Sequence, residues 1–437
     1  MPRLWTREHS RAPEDPRQFD RIFASIPAPP GLIEVKPRLN VPAIGGRHQF
    51  AHFLPVAFEL QRRGTFEVSV FVPQADEADE IEHLASSLGF PPPRIVSMDL
   101  PAPFGWRVPK SMDKITRLLI WANRIRAGDA ILCAERTSTL LKRLPGRCPS
   151  IIHIPHGAGD RAVGFEKRFR YFDRVLVAGE KDRERLLAEG LVRPDNCDAV
   201  GPIKVSASLQ MQARRSRLFH DDRPVVLYNP HFNTRLSSAG DFVHRLVEAI
   251  LRDDRYNLVV APHVRLAAHW DETRRKHWEA LAEPGRVIVD LGSRQSIDMT
   301  YTLGADLYLG DVSSQVYEFL VQPRPCLFVN AHDVAWQDSA DYAMWQFGEV
   351  VAPECDIPGA IARAFRDHAR FKAAQMKRAQ ATLEGLAWDE RGRPSLSSVD
   401  PIVRAADIIE QSVQSDRAPR AADGAAIQLQ NGDLSFR

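Results

Sequence analysis

Short apolar runs and amphipathic stretches alternate along most of this chain, and the alternation runs twice. In the first round, helical spacing from His48 to Arg62 (Phe50, Phe53, Leu54, Ala57, Phe58, Leu60) precedes a strand-like Glu67 to Val72. A helix from about Ala75 to Leu88, a strand near Ile95, a helix from Ile115 to Arg126 and a buried strand Ala130 to Cys133 follow. Helix Ser138 to Arg143, strand Ser150 to Ile154, strand Asp173 to Ala178 and helix Glu180 to Glu189 complete the round. From Gly201 the period is lost, and Asp221-Asp222-Arg223-Pro224 reads as a turn. The second round then runs through strand Val225 to Tyr228, helix Asp241 to Leu251, strand Leu258 to Ala261 and helix His269 to Leu281. Strand Val287 to Asp290, helix Ser296 to Leu303, strand Leu307 to Leu309, helix Ser314 to Val321 and strand Cys326 to Val329 end it. Strands separated by helices of this length require parallel pairing through right-handed crossovers. The expected fold class is therefore α/β, with two Rossmann-like doubly wound domains facing a cleft.

The boundaries follow from that reading: a flexible segment over 1–30, a first domain over 31–205, a linker over 206–222, a second domain with C-terminal helices over 223–413, and a disordered tail over 414–437. Leu32 to Val35 is a candidate first strand. At 437 residues the chain exceeds one ordinary core, and its 44% hydrophobic share supplies two. Fifty-eight basic residues against 56 acidic ones leave a net charge of +2, which argues against a nucleic-acid binder. Five scattered cysteines without a C-x-x-C pair, and no short Cys/His cluster, give no disulfide framework and no zinc site. The expected setting is cytoplasmic, and the longest apolar stretches fall short of the ~20 residues that span a bilayer, so any membrane contact would be peripheral.

Chemistry concentrates where strands end. Gly310-Asp311-Val312-Ser313-Ser314 joins a strand to a helix that carries Glu318 one turn on. Asp311 or Ser313 would cap the helix; the first-turn amides and two hydroxyls suit a diphosphate, and Glu318 a ribose diol. Ordinary capping explains the same residues. Strand Ile151 to Ile154 runs into Pro155-His156-Gly157, where His156 is placed to take a proton and Gly157 admits close backbone approach. His153, inside that strand, is expected in the sheet or core. Two second-round strands end alike, in Pro230-His231 and Pro262-His263, so both imidazoles would reach one crevice and bond phosphate oxygens, with Arg235 and Arg265 just beyond. Gly45-Gly46-Arg47-His48 enters a helix either as an acceptor-holding turn or as a plain tight turn. It matches no dinucleotide fingerprint or Walker loop.

The ordered set His156-Gly157, Tyr228-x-Pro230, His263 and Asp311-x-Ser313-Ser314 resembles the CDP-glycerol glycerophosphotransferase family, the teichoic-acid polymerase-type enzymes with a GT-B fold. The resemblance runs from about Ser150 to Asn330 and includes Phe172 to Gly179. Val312 stands where the family carries tyrosine, Val264 follows His263 where it carries proline, and Thr234 and Arg235 arrive late. The resemblance implies a transferase that moves a glycerol-phosphate or glycosyl group from a nucleotide-diphosphate donor to a glycan or lipid-linked cell-envelope acceptor. His156 would be the base, with His263 catalytic beside it. His231, Asp311, Ser313, Ser314 and Glu318 would lie on the donor side, and Gly45, Gly46, His48 and Gly157 on the acceptor side. No metal and no cofactor besides the donor is expected. A sugar-nucleotide 2-epimerase, which would need carboxylates near the sugar, and a catalytically silent nucleotide-binding protein are the alternatives.

Overall fold

A computed structural model describes residues 36–101, 108–161, 164–212, 217–268 and 270–417. The expected 1–30 segment, the candidate strand Leu32 to Val35 and nearly all of the expected tail lie outside them. Among the described residues, thirteen strands build two sheets within one compact body that begins at Pro37. The first sheet contains β1 (Arg38–Pro42), β2 (Glu67–Val72), β3 (Arg94–Ser97), β4 (Ala130–Cys133), β5 (Ser150–His153), β6 (Arg174–Val177) and β7 (Cys197–Ala199). The second contains β8 (Val225–Asn229), β9 (Asn257–Val260), β10 (Val287–Val289), β11 (Leu307–Gly310), β12 (Cys326–Val329) and β13 (Glu349–Val351).

The spatial orders are β3-β2-β1-β4-β5-β6-β7 and β10-β9-β8-β11-β12-β13, with every pairing in both sheets parallel. The two windings are the same, and each reverses direction once, between β1 and β4 and between β8 and β11. Ligands in open parallel sheets bind beyond the strand C-terminal ends at that reversal. β4 and β8 are buried along their whole length, as strands covered by helices on both faces must be. Helix Phe50–Arg63 covers the first sheet with Phe53, Leu54, Ala57, Phe58 and Leu60, all fully buried and spaced as one helical face.

Two boundary expectations change. Helix Ile203–Gln212 occupies the start of the expected linker. Ile203 and Ala207 join the first domain's core and Val205 the second's, so the segment is a shared packing element rather than a loose connection. The last helix, Pro401–Arg417, does not belong to the second domain. Its stripe Ile402, Ala405, Ala406, Ile409 and Val413 packs into the same core as Leu39, Phe53 and Phe58, and Arg63 reaches back to Asp407 (2.7 Å) and Glu410 (3.1 Å). Burying each large side chain of that stripe contributes roughly 1.5–3 kcal/mol. The chain thus returns to its first domain, and Gly179 lets it do so closely: a Cβ there would lie 2.4 Å from the Thr382 carbonyl oxygen.

Candidate active site

Every motif residue that reaches the cleft does so from a loop at a strand C-terminal end. His156 follows β5, His231 follows β8, His263 follows β9, and Ser313 and Ser314 follow β11. With His48, Arg136, Arg161 and Arg265 they line one cleft of about 240 Å³. Ring centroids step across it, 6.0 Å from His156 to His48, 6.2 Å from His48 to His263 and 6.1 Å from His263 to His231. The His-Gly loop meets the Ser-Ser loop: a Cβ on Gly157, whose φ is +98°, would stand 3.1 Å from Ser314 Oγ, and one on Gly159 would stand 3.2 Å from Ser314 Cβ.

The four imidazoles are neutral near pH 7. Loss of surrounding water is the leading cause for each, and mutual repulsion adds to it for His48 and His263. His48 and His263 are lowered to about 3, His231 to about 4, and His156 is lowered as well. His156 is the most exposed of the four residues, so its shift is the one most moderated by solvent.

A neutral imidazole offers one donor and one acceptor, and the partner of one nitrogen decides the role of the other. His231 Nδ1 accepts the Asn233 backbone N–H (3.0 Å), and His263 Nδ1 accepts that of Arg265 (3.2 Å). Both rings therefore carry their proton on Nε2. His156 is reversed. Its Nδ1 faces the carbonyl oxygen of Ala134 (3.2 Å), which can only accept, so the proton sits on Nδ1. Its Nε2 is a lone pair, met by the Gln49 amide at 3.1 Å. The first sheet thus presents a base to the cleft and the second presents N–H donors.

Several expected residues act differently. Asp311 does not cap a helix. It is fully buried, and its Oδ2 accepts the backbone N–H groups of His231 (2.9 Å) and Ser238 (3.1 Å), which pins the His231 loop to β11; burial pushes its carboxyl up to about 7. The following helix, Gln315–Phe319, is a single turn whose N-cap, Ser314, makes no side-chain cap bond, while Ser313 Oγ accepts from Gln315 N at 3.3 Å. Glu318 lies outside the histidine cleft, with both carboxylate oxygens held by Lys204 (2.7 and 2.8 Å). Gly45 and Gly46 do not line the cleft; Gly46, at φ +94°, begins the turn that delivers His48 and Gln49. As expected, His153 is a core residue, its ring stacked on Phe172 at 4.2 Å, whereas Arg235 does not line the cleft.

Three groups escaped the sequence reading. Glu135 stands just past β4 and accepts from Gln49 (2.7 Å) and Lys114 (3.1 Å). Its signal was a carboxylate two residues beyond a buried strand, the same placement that drew notice to His156. Gln49, buried beside His48, carried no signal of its own. Asp160, with a 2% exposed side chain, binds Lys181 (3.1 Å), Arg378 (2.6 Å) and the Tyr317 hydroxyl. This ties the His-Gly loop to two helices packed with the second sheet. Among the described residues, no group of three or more His, Cys, Asp or Glu is placed to hold a metal ion, and no helix is long and apolar enough to cross a membrane.

No protein-family model matches the chain, and no curated protein matches it in sequence. Solved structures do. The wall teichoic acid polymerase TagF superposes with a TM-score of 0.58 at 10% identity, covering 87% of this chain and 90% of that one. S. aureus MnaA, solved with UDP, gives 0.57 at 14% over 87% and 97%. The UDP-GlcNAc 2-epimerase of Neisseria meningitidis bound to UDP-GlcNAc gives 0.51 at 14% over 87% and 100%. At these identities the likeness is one of fold: two doubly wound sheets facing each other in the GT-B-like arrangement.

Proposed function

We infer that the protein is a transferase that uses a nucleotide-diphosphate donor of the CDP-glycerol or nucleotide-sugar type, and a glycan or lipid-linked hydroxyl as acceptor. The observation that carries this reading is the opposition of tautomers across the cleft. An acceptor hydroxyl beside His156 gives its proton to Nε2 as its oxygen bonds to the transferred group. That group's bond to the departing nucleotide oxygen breaks, and the charge gathering there meets donors that already point at it: the Nε2–H groups of His231 and His263, the hydroxyls of Ser313 and Ser314, and the cations of Arg161 and Arg265. Neutral imidazoles suit this role because they donate without a carboxylate partner to compete for them. For a glycerophosphoryl donor the bond broken is P–O and a nucleoside monophosphate leaves; for a glycosyl donor it is C–O and a nucleoside diphosphate leaves. Attachment to a membrane surface, where an acceptor lipid would lie, belongs to the same proposal.

A second reading, 2-epimerisation of a nucleotide sugar, is favoured by one observation: the Glu135 carboxylate lies one side chain from His156. The readings separate in heavy water. Epimerisation places solvent deuterium on the sugar without consuming nucleotide; transfer consumes the donor and leaves carbon-bound hydrogens alone.

Thermal unfolding of the purified protein with CDP, UDP, GDP, CMP and CDP-glycerol tests the donor. A ligand that binds only the native state at 100 times its Kd stabilises by about 2.7 kcal/mol. A rise in Tm with CDP and CDP-glycerol, lost in Ser313→Ala/Ser314→Ala, supports the glycerophosphoryl donor. Preference for UDP or GDP moves the reading to a sugar nucleotide. No response to any of them sinks the nucleotide-donor proposal.

A further inference from the structure

Behind His156 lies a chain of side chains that the transfer chemistry above does not use. Gln49 is 2% exposed. Its NH₂ group donates to Glu135 Oε1 at 2.7 Å and faces His156 Nε2 at 3.1 Å, and Lys114 holds the same Glu135 oxygen at 3.1 Å. An amide has one accepting end and one donating end, whereas a carboxylate only accepts. Glu135 therefore decides which end of Gln49 turns inward, and that end is the one His156 also meets. Gly45 belongs to the device: a Cβ there would fall 1.8 Å from Gln49 Oε1, so only glycine leaves room for the amide in this pose. A plain tight turn gives no reason for Gly45, whose φ is not in the left-handed region.

We propose that Gln49 and Glu135, backed by Lys114 and given room by Gly45, are positioning residues that lock His156 into the Nδ1–H tautomer and guard its Nε2 lone pair until a hydroxyl arrives. An entering hydroxyl takes the place of the Gln49 N–H, its oxygen accepting from that amide while its proton points at Nε2. The site thereby selects an acceptor group that both accepts and donates, an alcohol rather than an ether or a carboxylate. The proposal rests on the reading of His156 as base.

Opposite signs follow for two variants. Glu135 is a negative charge close to the ring and favours its protonated form, so Glu135→Gln lowers the pKa of His156. The Gln49 N–H binds only the unprotonated Nε2, so Gln49→Met removes support for the neutral form and raises it. Other charged or titratable groups around the ring are Arg136 beyond β4, Lys114 on helix Lys110–Ile120, His48 in the turn, His52 on helix Phe50–Arg63 and His153 in β5; all are retained in both variants.

The test is a pH titration of the ring carbon signals of histidine-labelled full-length protein, with His156 assigned by its loss in His156→Gln. Expected are a downward shift in Glu135→Gln, an upward shift in Gln49→Met, and a shift like that of Gln49→Met in Gly45→Ala, whose new methyl displaces the amide. Shifts of one sign in both relay variants, or no shift, overturn the relay. If Gln49→Met does not fold, Gly45→Ala and Glu135→Gln carry the same contrast. No substrate is involved, so this outcome is independent of the base reading, which falls separately if His156→Gln keeps full transfer activity once a donor is found.

Discussion

The two walls of the cleft are built from the same winding and from similar loops, yet they present opposite chemistry. On the second-sheet wall, His231 and His263 each follow a proline at a strand end and each bind the backbone N–H two residues on, so both aim a donor outward. On the first-sheet wall, His156 also follows a proline at a strand end, but its Nδ1 meets a carbonyl of the neighbouring strand's loop, and it aims a lone pair outward. One local difference, a backbone C=O in place of an N–H at Nδ1, turns the same side chain from donor to base. A histidine's role here is set by what stands behind it rather than by the motif in which it sits.

The largest effect expected from breaking this contrast is on turnover. His156→Ala should reduce transfer by about 10²- to 10⁴-fold, the range for a lost general base, with donor affinity nearly unchanged. A parallel loss of donor affinity would mean that His156 belongs to the donor wall. Next in size is the tie that holds the two walls in register. Asp160→Ala strands Lys181 and Arg378 beside a buried gap, and breaking such a buried pair costs about 3–5 kcal/mol of stability, to be read by denaturant unfolding. Little change in the unfolding midpoint would show that the His-Gly loop stays in place without Asp160.

On the donor wall, His231→Phe and His263→Phe remove one N–H each from charged oxygens, worth about 1.5–3 kcal/mol, or roughly 10- to 100-fold in nucleotide affinity by calorimetry. The order should invert that of His156→Ala, with binding lost first. A further effect concerns pH. Four rings whose folded pKa values lie below the ~6.5 of an unfolded histidine bind fewer protons folded than unfolded. Their contribution to stability is therefore lost as pH falls below about 6.5, for His48, His231 and His263 toward 3–4, and Tm should decline across that window. A variant carrying Gln at His48, His231 and His263 should show a shallower decline, while an unchanged slope would remove those rings from the account.

Much of the fold was legible because a parallel sheet buried on both faces leaves unbroken apolar runs; β4, β5, β8, β9, β11 and β12 all lie where such runs stand. What hid were strands without that signature. β1, central to its sheet, is Arg38-Leu39-Asn40-Val41-Pro42: Pro37 and Pro42 look like breakers, and Asn40 interrupts the apolar run. Pro42 is the strand's last residue, where a proline is least costly to a ladder, and Asn40 is buried with its amide bound to the carbonyls of Arg124 and Ile125. β7 and β13, three residues each, gave too little to read. At the site, His156, His231, His263, Ser313 and Ser314 were legible as strand-end residues and do converge. The roles of Asp311 and Glu318 were not, because a carboxylate beyond a strand looks the same whether it faces a ligand or a backbone amide. Gln49 and Glu135 stand 86 residues apart in sequence, and nothing local announces that they touch.

The division of the cleft is tested most directly by the two-bond and three-bond nitrogen–proton correlation spectrum of ¹⁵N-histidine-labelled protein at neutral pH, with each ring assigned by substitution. The account predicts His156 with its proton on Nδ1, and His231 and His263 with theirs on Nε2. A spectrum with all three rings in the same tautomer, or with any of them cationic at that pH, would contradict it.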